Sequence, residues 1–416
     1  MTSDKMHRRD FMKNATLLGA GMTIVDAARL AAQEEESAPP PPAPAAGSTT
    51  EIPPLAGTVP RRKLGSTGEE IPMLYMGGSQ KFDTKYDKLL HRAFKLGINY
   101  IDTAEMYAQG QSHAGVAVFQ QQVGRKNLWI TTKAALTGTK MTPENYKTHL
   151  DKCLEELQTD YADMFFMHMI QSEDNLEPDF LKMGEEIKKS GKAKYFGFSC
   201  HHGNVAQLLQ KAAKVGGIDA IQFRFNFRQY GDTELNNAID ACKKAGVGLL
   251  AMKTQSSIPN DIEKVVEFQS KNFNLFQAKL KSVWADDRID AAVSGMTNVQ
   301  VLTENAAAAM SPVQLTMNEF HQLNRLARLT APYACLGCNH ICESRIAGKL
   351  KVADALRYLM YHECYGDPET ARLLYAALTP EERDFDGLDL SEAINTCPQG
   401  IRIDKRLRRA KELLLA

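Results

Sequence analysis

The chain has 416 residues, 44% of them apolar and 24% charged, with 50 Lys+Arg balanced by 50 Asp+Glu. That length exceeds what one growing core uses and predicts a large domain with a smaller companion. A zero net charge with no block of like charge excludes nucleic acid as a partner, and no run reaches the roughly 20 apolar residues of a membrane-spanning helix.

Residues 1–32 are expected to be a twin-arginine export signal. Lys5, Arg8 and Arg9 lie in a basic start containing "HRRDFMKN", an apolar "NATLLGAGMTIV" follows, and small residues cluster near Ala27 to Ala32. Such a signal is read by the twin-arginine translocation machinery after folding and implies a periplasmic or exported protein, anchored if the signal stays uncleaved. A disordered basic terminus with a chance arginine pair is the alternative. Residues 33–58, rich in Pro, Ala, Ser and Glu, have almost nothing to bury and are expected to be an extended linker.

From residue 59 the pattern becomes regular. "RRKLGSTGEEIPML" sets a Thr67-Gly68 turn between two strand-like halves, a hairpin signal. Eight short apolar runs follow: 73–78, 99–104, the region around 129, 163–170, 193–200, 220–226, 246–253 and 291–296. Segments of helical spacing lie between them, and in the first of these Leu89, Leu90, Ala93 and Phe94 form one stripe. Eight strand and helix alternations predict an α/β fold, a (β/α)8 TIM barrel over 59–315, and no GxGxxG follows the first strand as a Rossmann domain would require.

In such a barrel the chemistry sits at the C-terminal ends of the strands. Asp102 closes the second run, Tyr107 follows it in the next loop, Lys133 closes the third and His168 interrupts the fourth. Charged groups buried at three strand ends are costly unless they meet one another. Together they suit proton donation: Lys133 would lower the pKa of the Tyr107 phenol, Asp102 would hold Lys133, and His168 would bond the substrate oxygen.

The motifs "RRKLGSTGEEIPMLYMGG", "GINYIDTAEMYAQGQSHAGVAV", "LWITTK", "FFMH", "GFSCHH", "AIQFRFN" and "GMTNVQVLTENAAA" resemble, in order and spacing, the aldo-keto reductases. The resemblance implies NADP or NAD on the C-terminal face and hydride transfer between nicotinamide and a small-molecule carbonyl or alcohol. Tyr107 would then be the general acid with Asp102, Lys133 and His168 as partners, and Ser199, Gln222, Gly295, Glu304 and Asn305 would bind the cofactor. The chain departs from the family pattern at Ala108, His113, Cys200 and Met252, and "GMTNVQ" carries no Arg or Lys for a 2′-phosphate. A non-catalytic or regulatory binding protein on the same scaffold is the alternative function.

Residues 316–416 read as a helical, ferredoxin-like domain around five cysteines, Cys335, Cys338, Cys342, Cys364 and Cys397. C-x2-C-x3-C with a distant Cys-Pro resembles a degenerate ferredoxin-type module, which implies one [4Fe-4S] cluster on Cys335, Cys338, Cys342 and Cys397 and an electron-transfer partner. Zinc on these cysteines, or with His340 replacing one, competes with that reading, as do disulfides and a site that binds no metal.

Overall fold

A computed structural model describes residues 55–135, 141–255 and 258–415. The expected export signal and nearly all of the linker lie outside the described residues. Among the described residues, no helix is long and apolar enough to cross a membrane.

Strands β1 (Arg61–Lys63) and β2 (Glu70–Pro72) form an antiparallel hairpin. Gly65 takes φ +49° in its turn, and a Cβ there would lie 2.4 Å from the Gly246 carbonyl oxygen. Backbone therefore approaches backbone at a position that only glycine permits. The hairpin turns Leu64 and Ile71 into the end of the barrel, where they pack with Tyr75, Tyr100, Met164, Phe166 and Leu250.

The barrel itself is β3 (Leu74–Gly77), β4 (Tyr100–Asp102), β5 (Trp129–Ala134), β6 (Ala162–Met167), β7 (Ala193–Cys200), β8 (Ala220–Arg224), β9 (Gly248–Met252) and β10 (Ala291–Ser294). All neighbours are parallel, and β10 closes on β3. Each strand falls within one of the eight apolar runs, except that β6 begins one residue before its run. Strands covered on both faces read as continuous apolar stretches, which is why length and boundaries identified them better than alternation.

Helices α1 (Lys88–Lys95), α2 (Gln111–Val123), α3 (Pro143–Leu157), α4 (Pro178–Lys189), α5 (Val205–Val215), α6 (Thr233–Lys244), α7 (Leu275–Trp284) and α8 (Val299–Met310) surround the barrel. Their starts follow capping chemistry: Thr142 accepts from the Asn145 N–H with Pro143 at the first turn, Asp232 accepts from Leu235, and Asn274 and Gln277 cap each other. Apolar stripes such as Leu150, Leu154 and Leu157 on α3 complete the core between helices and strands.

The C-terminal region is helical. Helix α9 (Met317–Leu329) packs Leu323 and Leu326 against Phe227 of the barrel. Helices α10 (Val352–Tyr365), α11 (Pro368–Ala376), α12 (Ser391–Thr396) and α13 (Ile403–Leu414) bury a second core that includes Leu356, Leu359, Leu374, Tyr375 and Leu407. Met106, from the loop after β4, packs against this core and ties it to the C-terminal face of the barrel.

Candidate functional site

Strand register brings the polar residues to one rim. Asp102 pairs with Thr131 in β5, Lys133 lies two residues further along that strand, and His168 follows directly on β6. The Lys133 ammonium sits 2.8 Å from Asp102 Oδ1 and donates to the Thr103 carbonyl at 2.8 Å. It also donates to the Tyr107 hydroxyl at 3.4 Å, and it stands 4.7 Å from the centre of that ring. The Tyr107 and His168 rings meet edge to face at 5.6 Å. The four residues named from the sequence thus converge.

Burial dominates their electrostatics. It pushes the Asp102 carboxyl up and the Lys133 ammonium down, each partly offset by the other. His168 is held well below the usual imidazole range by burial and then by Lys133, so it is neutral near pH 7. The Tyr107 phenol lies well above its usual value, through burial first and then the Asp102 charge and Tyr361. This corrects the sequence expectation of a lowered phenol: desolvation of the phenolate outweighs an ammonium whose charge Asp102 already compensates. Tyr107 is therefore protonated near pH 7.

A cleft of ≈ 330 Å³ opens beside these groups. Its walls include Gly77 and Gly78 after β3, Asp102, Tyr107, Gln222 on β8, and Ser294 and Gly295 at the end of β10. Gln222 lines it and donates to the Tyr75 hydroxyl at 3.1 Å. Ser199, Glu304 and Asn305 do not line it. The Ser199 hydroxyl accepts from the Met169 N–H, and Asn305 stands one layer back, donating to Ser294 at 3.0 Å. Glu304 lies on α8 and accepts from Asn274 and Gln300.

Sequence reasoning missed the roof. Tyr361, Tyr365, Asp367, Thr370 and Leu374, with Tyr107 and His168 below, enclose a second cavity that opens over the tetrad. His201, in the loop after β7, lines both cavities. His168 Nδ1 and His201 Nδ1 are buried polar atoms with no partner among the described residues. The spacing of Tyr361 and Tyr365, one turn apart on α10, was a readable sign of an aromatic face, but nothing in the sequence said what it covers.

The β7–α5 loop links this site to the cysteines. Gly203 donates to the Gly337 carbonyl at 2.7 Å, and a Cβ at Gly203 would lie 2.4 Å from Cys338 Cα. Cys335, Cys338, Cys342 and Cys397 all line one small cavity. Burial pushes the Cys338 thiol up to about 11 and Cys342 up to about 12, while Arg224, bonded to the Cys335 carbonyl at 2.9 Å, opposes the shift at Cys335 and Cys338. Cys364 lines the large cleft instead, and His340 is exposed and outside the thiol cavity. Among the described residues no three His, Cys, Asp or Glu side chains are grouped to hold one metal ion.

Residues 74–257 match the model of the aldo/keto reductase family. An uncharacterized oxidoreductase of Bacillus subtilis is 26% identical over 284 residues, covering 60% of this chain and 90% of its own. An aldo-keto reductase of Bacillus halodurans in its holo form aligns with TM-score 0.55 at 21% identity, covering 64% of this chain and 96% of its own. An aldo-keto reductase of Klebsiella pneumoniae solved with NADPH aligns with TM-score 0.50 at 20% identity, covering 66% of this chain and 96% of its own.

Proposed function

We propose that this oxidoreductase, whose residues 74–257 match the aldo/keto reductase family, transfers a hydride between a nicotinamide cofactor and a carbonyl or alcohol substrate. The observation that carries this reading is the convergence of Tyr107, Lys133, Asp102 and His168 between an open cleft and a roofed cavity. The cleft suits NADP or NAD: a Cβ at Gly295 on its wall would meet only open space, and Gln222 supplies an amide. The nicotinamide, when bound, supplies the hydride that reaches the carbonyl carbon. Tyr107 donates its proton to the carbonyl oxygen, so a ketone or aldehyde plus hydride plus proton gives the alcohol. Lys133, fixed by Asp102, stabilises the phenolate left behind, and neutral His168 presents a ring nitrogen to the same oxygen. The test is reduction of a carbonyl panel by the full chain with reduced nicotinamide, compared with Tyr107→Phe.

The same reading extends to the cysteines, for which we propose one [4Fe-4S] cluster. Cys335, Cys338, Cys342 and Cys397 line one small cavity. Arg224 supplies positive charge beside thiols that must ionise to bind. Protein purified anaerobically is expected to contain iron and labile sulfide, and Cys338→Ser is expected to lose most of both. Stoichiometric zinc without iron would end the proposal.

We further propose export through Arg8 and Arg9. Replacing both with Lys is expected to retain the protein in the cytoplasmic fraction. Unchanged partition between periplasm and cytoplasm would refute it.

A further inference from the structure

Lys253 follows directly on β9 and is held in a left-handed conformation, φ 57°. Its backbone is pinned on both sides: Phe225 N–H donates to the Met252 carbonyl at 3.1 Å, and Asn226 donates to the Lys253 carbonyl at 2.9 Å. A lysine adopts this conformation only where its surroundings impose it. The outcome is a side chain that reaches the roofed cavity over the tetrad, the open cleft beside it and a third cavity leading toward Cys335.

The ammonium lies on an aromatic platform. It stands 4.5 Å from the Tyr361 ring centre and 4.7 Å from that of Tyr365, and the two rings stack on each other at 5.7 Å. Aromatic faces hold a cation without neutralising it. Among the described residues it has no ion pair, and each carboxylate on these walls is already committed. Asp102 pairs with Lys133, Asp354 pairs with Arg357, and Asp367 accepts from the Thr370 N–H that it caps. Arg224 faces the cysteine loop, so it adds positive charge nearby.

A cation enclosed in this way lacks an anion. We propose that Lys253 anchors a carboxylate carried by the substrate, so that the carbonyl reduced over Tyr107 belongs to an oxo acid. This inference rests on the reductase reading given above. It accounts for three features together: the imposed backbone, the aromatic support from α10, and an uncompensated charge within the walls that also hold Tyr107 and His168. Burial, followed by Arg224 and Arg357, holds the ammonium well below the ordinary lysine range, and a bound carboxylate would reverse that shift.

The experiment compares oxo acids, with one to four methylenes between carbonyl and carboxylate, to their methyl esters, using the full chain with reduced nicotinamide. For the best-fitting member the acid is expected to exceed its ester in kcat/KM by at least ~30-fold, and Lys253→Met should reduce that ratio toward unity while Lys253→Arg preserves much of it. Binding of the same acids to nucleotide-loaded Tyr107→Phe, followed by calorimetry, reads the anchor without turnover. There, adding Lys253→Met should weaken the acid by ~30-fold or more. If acids and esters are turned over and bound alike, the proposal is wrong. It is also wrong if Lys253→Met chiefly weakens nucleotide affinity and leaves the acid preference intact, because the cation then serves the cofactor's diphosphate. If no carbonyl compound is reduced but acids still bind through Lys253, the reductase reading fails and the anchor stands.

Discussion

Tyr107→Phe is expected to lower kcat for carbonyl reduction by ~10²–10⁴-fold, the range a positioned general acid contributes, while bound nucleotide stays in place. The change removes one oxygen from the cavity floor and leaves the ring, so its edge contact with His168 at 5.6 Å is preserved. The two partners nearest the Tyr107 ring are poor substitutes as acids. Lys133 is committed to Asp102 and Thr103, and His168 is neutral, with its proton held by an imidazole that burial makes a reluctant cation. The measurement is single-turnover reduction with nucleotide binding followed in parallel. Undiminished turnover would remove the proton-donor role from Tyr107, whereas no reduction by the parent chain would favour a binding protein built on a reductase scaffold.

Lys133→Met should be the most destabilising single change at the site. The substitution leaves Asp102 buried without its counterion, and breaking a buried pair costs about 3–5 kcal/mol. In a chain of this size the midpoint of thermal unfolding should fall by roughly 5 °C. Asp102→Asn combined with Lys133→Met should recover most of that loss, since two neutral groups of similar volume need no charge compensation. The same double variant should remain as inactive as the single one, because Tyr107 then has no ammonium to stabilise its phenolate. Thermal unfolding of the three variants separates the structural and chemical roles of one pair. Equal stability of Lys133→Met and the parent protein would mean that Asp102 is compensated by something other than Lys133.

Local pattern carried the barrel well. Eight apolar runs separated by amphipathic helices, with a hairpin at the start, have few three-dimensional solutions, and a parallel closed sheet is the one that buries every run on both faces. The tetrad was legible for the same reason. A charged or polar residue that ends an apolar strand has only one rim to occupy, so Asp102, Lys133 and His168 had to be neighbours whatever the loops did. Cys335, Cys338 and Cys342 were legible because their spacing is local, and Cys397 because Cys-Pro is distinctive.

Composition and spacing by themselves determined the repeating architecture and the rim on which Asp102, Lys133 and His168 stand. Only the tertiary structure decided which residues roof that rim, which polar groups lack partners and how burial sets their protonation. Tyr361, Tyr365 and Asp367 lie more than 250 positions from Tyr107 along the chain, and that contact arises from the docking of one core on another. The phenol of Tyr107 moved up where charge counting predicted down, because desolvation depends on everything packed around a group and a sequence names only its neighbours along the chain. Lys253 is the clearest instance: "AMKTQ" is unremarkable as text, and only the folded protein shows its ammonium beside two tyrosines, with no ion pair among the described residues.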